Sequence, residues 1–172
     1  MASLMENLID ILNQEGREYE ELLVLSQQKT PVIVRGDLEE LQKITDDEQN
    51  LASRIAHLEK TRVEITTDIA NVLNKDVDSM KLRNLIDMLE GRAAEQAMLA
   101  EAHDRLQRVV REVKRTNEQN KELLANAMEM VEFELNMLQA AKAAPETANY
   151  TRDAYSSGAQ MGAPGGGFDA KQ

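Results

Sequence analysis

The side chains best suited to chemistry in this chain are two imidazoles, and their placement argues against a catalytic site. His57 and His103 fall on separate predicted helices, and neither stands in the Glu-x-x-His spacing that supplies ligands to a di-metal site in a helical bundle. The sequence contains no His-Glu-x-x-His, no glycine-rich phosphate loop between strand and helix, and no Gly-x-Ser-x-Gly elbow. We therefore expect no enzyme activity, no metal site and no cofactor.

The segment 123–138, LLANAMEMVEFELNML, could instead bind another protein. On a helix, where each residue turns by about 100°, its apolar side chains fill an arc of roughly 180°. A helix that only covers a small core needs an arc of about 100°. Methionine is flexible and polarisable, so it suits a surface that accepts a partner helix. This apolar arc consists of Leu123, Leu124, Ala127, Met128, Met130, Val131, Leu135, Met137 and Leu138.

One edge of the apolar arc is predicted to contact the partner and the other to face the bundle. The predicted binding residues are Leu124, Met128, Val131, Leu135 and Leu138. The residues predicted to face the bundle are Leu123, Met130 and Met137. The alternative is that neighbouring helices cover both edges. Glu134 falls inside the arc and argues against a purely core role, because an unpaired carboxylate is costly to bury.

The chain has one basic cluster, RLQRVVREVKR at 105–115. Four arginines share the helix face opposite the apolar residues of this stretch: Arg105, Arg108, Arg111 and Arg115. We expect a solvated face whose arginines pair with acidic groups of neighbouring helices, each pair contributing about 0–1 kcal/mol. The alternative is a docking patch for an acidic partner.

Composition narrows the class of protein further. The 172 residues carry 20 Lys and Arg against 31 Asp and Glu, and the formal net charge of −11 disfavours nucleic acid and anionic membranes as partners. No apolar run approaches the roughly 18 residues that span a bilayer, and the N-terminus lacks the basic region of a secretory signal. Cysteine is absent, and aromatic residues make up only 3%. These features favour a cytoplasmic protein built as a thin helical bundle, with no membrane insertion.

Helical periodicity predicts the elements that position these residues. A first helix is expected over about 3–29, ending at KTPVIVRGD, where Pro31 lacks an amide hydrogen and Gly36 permits a turn. Asp37, with Glu40 three residues on, is the predicted N-cap of a second helix over 37–74. The seam of this second helix follows a heptad pattern: Leu41, Ile44, Glu48, Leu51, Ile55, Leu58, Arg62, Ile65, Ile69 and Val72.

A short helix is expected over about 79–90, capped by Asp78 or Ser79, and a last long helix over 93–141. Gly91 either marks a joint between them or is tolerated within one continuous helix. Polar residues interrupt the seam of the last helix, and we expect Asn117 and Asn120 to set register or to hydrogen-bond across helices.

Together these elements predict an all-α fold. It is an elongated antiparallel bundle or coiled coil of three long helices and one short helix, occupying residues 1–143. Residues 144–172 hold five of the eight glycines and no apolar periodicity, so they predict a flexible tail.

Two stretches of the sequence carry a resemblance. The first, 32–62, contains an apolar run, Gly-Asp, Leu-x-x-Leu, a Glu-Gln pair and Leu-Glu-x-x-Arg, which here are Val32 to Val34, Gly36-Asp37, Leu38 and Leu41, Glu48-Gln49, and Leu58-Glu59 with Arg62. The second, 116–138, contains Asn117, Asn120, Leu123, Leu124, Met130, Phe133, Asn136 and Leu138. In this order, they resemble the FlgN family of flagellar type III export chaperones over roughly residues 1–140.

The resemblance implies a cytoplasmic chaperone for hook-associated proteins, which form the hook–filament junction. Such a chaperone keeps these clients unassembled, binds them through its C-terminal amphipathic region and delivers them to the flagellar export gate. It also implies that a tail tyrosine beside small residues docks on the gate; AYSSG offers Tyr155, with Tyr150 as a second possibility. From the residues alone, the alternative is an acidic structural or scaffolding coiled coil that self-associates through 123–138.

Overall fold

The structure, a computed structural model, describes residues 2–77, 80–89 and 91–143, which form four helices and no strand. These are α1 (Ala2–Arg35), α2 (Leu38–Leu73), α3 (Leu82–Met88) and α4 (Ala93–Ala143). The prediction of an all-α chain with three long helices and one short helix is confirmed. One compact unit covers Met1–Val131, and a second begins at Glu132, where the described residues are the end of α4. The predicted tail, 144–172, lies outside the described residues.

The first helix extends beyond the end predicted for it. α1 continues to Arg35 with Pro31 inside it, so the prediction that the helix ends at 29 and that Pro31 breaks it is wrong. Proline within a helix costs roughly 3 kcal/mol because it removes a main-chain hydrogen bond and crowds the preceding turn. Just beyond it, Val32 and Ile33 are buried, and burial of such side chains contributes about 1.5–3 kcal/mol each. Packing therefore offsets the local penalty.

The chain reverses at Gly36, as predicted. Its φ of 68° is a conformation that side-chain-bearing residues rarely adopt. The Gly36 N–H donates to the Ile33 carbonyl at 3.0 Å and the Asp37 N–H to the Val32 carbonyl at 3.3 Å, the paired bonds that close a helix. Asp37 then caps α2, because its Oδ1 accepts from the Glu40 N–H at 3.1 Å. The predicted N-cap is confirmed.

α1 and α2 form an antiparallel hairpin that is paired at the two polar positions of the predicted heptad seam. Lys29 Nζ lies 2.6 Å from Glu48 Oε2, and Arg62 Nε lies 2.9 Å from Glu15 Oε1. Between these pairs, the Tyr19 hydroxyl donates to a carboxylate oxygen of Glu59. Burial and this bond raise the pKa of Tyr19 to about 12. The polar seam positions therefore join the hairpin through specific charge pairs.

An apolar core joins all four helices at the opposite end of the hairpin from Gly36. Its buried residues are Met5, Leu8, Ile9, Leu12, Ile69, Ala70, Met80, Leu85, Leu89, Leu99 and Ala102. The left-handed C-cap Asn74 ends α2 beside this core. The four helices thus bury their narrow apolar stripes against one another, because an isolated helix is only marginally stable in water.

The short helix begins later than predicted. α3 starts at Leu82 with Lys81 in the N-cap position, so the predicted start at 79 with a cap from Asp78 or Ser79 is wrong. Asp78 and Ser79 themselves lie outside the described residues. Gly91 has a φ of 100° between α3 and α4, so it marks a joint and is not part of a continuous helix.

α4 runs parallel to α1, and a polar layer joins them. Asn120, only 3% exposed, donates from Nδ2 to the Ser26 carbonyl at 2.7 Å and accepts at Oδ1 from the Thr30 hydroxyl at 2.6 Å. The predicted hydrogen bond across helices is confirmed for Asn120. It is wrong for Asn117, which is exposed and makes no such bond among the described residues.

Replacing Asn120 by aspartate tests this layer. A carboxylate cannot donate to the Ser26 carbonyl and would place a charge where Asn120 is buried. We expect the free energy of unfolding to fall by about 2–3 kcal/mol, measured by urea denaturation. Asn117→Asp, at an exposed position of the same helix, should change it by less than about 0.5 kcal/mol. Equal effects of the two substitutions would contradict the role of Asn120.

Candidate partner-binding surface

The burial of α4 changes after its first thirty residues. Its buried side chains are Leu99, Ala102, Val109, Val113, Thr116 and Asn120. Leu123 and Leu124 are half-buried, and every described residue from Ala125 to Ala143 is exposed. The cause is the length of the neighbour: Thr30 of α1 contacts Asn120, and α1 ends only five residues later, at Arg35. α4 therefore extends beyond the end of the helix that covers its seam.

The exposed part of α4 carries an unusual amount of apolar surface. Seven large apolar side chains lie there with exposures between 51% and 67%: Met128, Met130, Val131, Phe133, Leu135, Met137 and Leu138. We call these seven side chains the α4 surface. Soluble monomers rarely expose contiguous apolar patches of this kind unless the patch binds something.

The structure exposes four of the five predicted binding residues. Met128 and Val131 are exposed in the first unit, Leu135 and Leu138 are exposed in the second, and Leu124 is half-buried. Their role in binding stays a prediction. Phe133, at 64% exposure, was missed as a surface residue because the helical period places it beside the polar stripe and outside the apolar arc.

The prediction that Met130 and Met137 face the bundle is wrong. Met130 is 67% exposed and Met137 is 59% exposed. The physical reason is that no described helix covers α4 beyond Leu124, so neither edge of the apolar arc is buried. Substitutions at these two methionines are therefore not expected to destabilise the bundle.

The helical period shows how the α4 surface relates to the buried seam. The inward side of α4 is marked by Val113, Thr116 and Asn120. Continued at about 100° per residue, this direction passes through Ala127, Val131, Glu134 and Leu138. The apolar arc is thus centred on the continuation of the seam. It presents to solvent the face that α4 buries earlier in the chain.

An open cleft in the first unit lies where the α4 surface begins. Its lining includes the Lys29–Glu48 ion pair together with Leu124 and Met128. Both charged side chains of the pair are largely buried, at 16% exposure. The cleft is therefore lined by an ion pair on the hairpin and by both polar and apolar side chains of α4.

Among the described residues, the basic cluster pairs across helices at one of its four arginines. Arg105 binds both carboxylate oxygens of Glu20, at 2.9 and 2.7 Å, and this hydrogen bonding holds the pKa of Glu20 below its usual range. Arg115 lies 3.6 Å from Glu112 of its own helix. Arg108 and Arg111 are exposed and form no ion pair among the described residues. The prediction of cross-helix pairs is wrong for these three.

The two histidines and the two tail tyrosines are placed as follows. His57 lies on α2 and His103 on α4, and no described group of three or more His, Cys, Asp or Glu side chains could hold a metal ion. No helix in the described ranges has the length and hydropathy needed to cross a membrane. Tyr150 and Tyr155 lie outside the described residues.

Two comparisons place the chain among known proteins. The uncharacterized protein YvyG of Bacillus subtilis (strain 168) is 25% identical to it over 120 residues, which cover 70% of this chain and 71% of that relative. No solved structure shows significant similarity. The family described as FlgN protein matches residues 1–158, a range that includes all four helices. The match confirms the resemblance seen in the sequence: this chain belongs to the FlgN family of flagellar type III export chaperones.

Proposed function

We propose that this chain binds hook-associated flagellar proteins in the cytoplasm and delivers them to the type III export apparatus. Membership of the FlgN family supports the general role of a flagellar export chaperone. One observation carries the proposal of where the client binds: six of the seven exposed apolar side chains of the α4 surface, all but Phe133, lie on the side of the helix that α4 buries earlier in the chain.

The proposed mechanism follows from the chemistry of that surface. The proposed client has amphipathic terminal segments that form coiled coils only in the assembled filament. Before assembly, the apolar face of these segments needs a cover. The α4 surface offers side chains at three- and four-residue steps, the spacing at which two helices pack. Covering the client's apolar face blocks premature assembly and proteolysis, and the client is released when export removes it. The mechanism requires no ATP.

The amount of apolar surface is of the right order. A fully buried aliphatic or aromatic side chain gains about 1.5–3 kcal/mol, so seven that begin roughly half exposed gain on the order of 10 kcal/mol. Association costs an estimated 4–15 kcal/mol in lost freedom of motion. The gain from the apolar contact is thus comparable with this cost, and such a near balance suits a client that must later be released.

The tail supplies the second half of the proposed function. We assign docking on the export gate to Tyr155, with Tyr150 as the second candidate. This assignment is supported by the resemblance of AYSSG to the tail of family members. Both tyrosines lie outside the described part of the chain.

Molar mass in solution distinguishes the chaperone from a self-associating scaffold. We expect the full chain alone to keep one mass over a hundredfold range of concentration, measured by light scattering, and to form a defined complex when a hook-associated protein is added. A mass that rises with concentration, together with no complex, would instead favour the acidic structural coiled coil that pairs through 123–138.

A further inference from the structure

Glu134 is the one charged residue within the apolar arc of α4. Residues three and four positions away lie beside it on the helix, and all four are apolar: Met130, Val131, Met137 and Leu138. Glu134 is exposed and forms no ion pair with any described residue. Glu132 has the same charge but lies on the polar stripe, on the other side of the helix.

A partner that covers the apolar arc must also cover this carboxylate. Removing an ionised carboxylate from water without a compensating group is strongly unfavourable. None of the four residues three or four positions from Glu134, the ones whose side chains lie beside it on α4, carries a cation or a hydrogen-bond donor. The compensating group therefore has to come from the partner.

We propose that Glu134 pairs with a lysine or arginine on the apolar face of the partner helix and so selects the partner. The proposal rests on the proposed function of the α4 surface and states the chemistry of its ligand: an amphipathic helix with one basic residue among its apolar ones. A buried charge pair contributes mainly to specificity and less to affinity. A helix without the cation binds less tightly because it leaves Glu134 buried and unpaired. Glu134 thereby sets the register of the bound helix.

Two designed peptides test this pairing independently of any natural client. Both are the same leucine-rich amphipathic helix, with either lysine or glutamate at the central position of the apolar face. We expect the full chain to bind the lysine peptide at least about tenfold more tightly, by calorimetry, as close charge pairs in interfaces allow. Glu134→Lys should invert the preference. Glu132→Lys, the same change of charge on the polar stripe, should leave the preference intact within about threefold.

Glu134→Leu separates a selecting residue from a tolerated one. This substitution makes the arc more apolar, so it would strengthen binding of every helix if Glu134 merely sat in the way. Under the proposal it weakens binding of the lysine peptide by about threefold or more, because the lysine loses its partner in the contact. Tighter binding of the lysine peptide by Glu134→Leu, or equal behaviour of Glu134→Lys and Glu132→Lys, would overturn the proposal.

A parallel titration with a hook-associated protein keeps the two hypotheses apart. If the chain prefers the lysine peptide but binds no hook-associated protein, the proposed function fails and the pairing by Glu134 stands. If it binds the hook-associated protein equally well with Glu134→Lys, the pairing is wrong and the chaperone function stands. A second copy of this chain as the occupant would appear as a mass that rises with concentration and that Glu134→Lys alters, and this result would also overturn the proposal.

Discussion

Replacing Val131 and Leu135 together by aspartate is expected to abolish binding of the hook-associated client while leaving the melting temperature within about 2 °C of the parent. The two side chains are 55% and 51% exposed, so the free chain loses little packing. In the complex, each aspartate would be buried against an apolar face without a partner, which costs several kcal/mol. Calorimetry measures the binding, and circular dichroism measures the melting.

A matched control separates loss of the surface from gain of charge. Asn126→Asp with Asn136→Asp adds the same two negative charges to the same stretch of α4, but on its polar stripe. This variant should keep client affinity within about threefold of the parent, because exposed charges at this distance are largely screened. If the Val131 and Leu135 variant melts far below the parent before client is added, the stretch packs as core and the proposed surface is wrong.

The largest loss of stability is expected at the hairpin, from Arg62→Met. Glu15 is only 1% exposed, and Arg62 Nε donates to both of its carboxylate oxygens, at 2.9 and 3.1 Å. Removing one partner of a buried pair leaves an uncompensated charge, which costs about 3–5 kcal/mol. Urea denaturation at pH 7 should show this loss. Lys60→Met, which removes an exposed cation of the same helix, should cost less than about 0.5 kcal/mol.

The same pair predicts a pH dependence with a definite sign. Burial raises the pKa of Glu15 above its ordinary 4.5, hydrogen bonding and the charge of Arg62 oppose the rise, and Glu59 adds to it. Protonation therefore favours the folded state, and the contribution of Glu15 is fully present below 4.5 and declines as pH rises through the raised pKa. Without Arg62 that pKa rises further, so the deficit of Arg62→Met should shrink when the pH is lowered from 7 towards 5. A deficit that is unchanged or larger at pH 5 would contradict this account.

Much of the hairpin could be predicted from sequence because its signals are local and agree with one another. For α2, an aspartate cap, a heptad seam and a breaker after residue 73 all point to the same bounds, and the predicted 37–74 compares with Leu38–Leu73. The polar seam residues Glu48 and Arg62 looked like exceptions, yet each has a charged partner on α1.

The errors arise where packing between distant parts of the chain decides the outcome. Pro31 has a strong local preference against a helix, and the burial of Val32 and Ile33 just beyond it offsets this preference. Whether a residue on the inward side of α4 is buried depends on where α1 ends, and the helical period of α4 does not reveal this. The apolar arc could therefore be identified from sequence, whereas the placement of Met130 and Met137 at its edge could not.

Hydrogen exchange of the full chain, with and without a hook-associated protein, tests the central claim most directly. The amides of 123–138 lie in a helix whose side chains beyond Leu124 are exposed, so they should exchange readily in the free chain. We predict that client binding slows exchange most strongly in 123–138 and changes it little in the α1–α2 hairpin. Protection that appears elsewhere, with 123–138 unchanged in a saturated complex, would contradict the claim that the α4 surface holds the client.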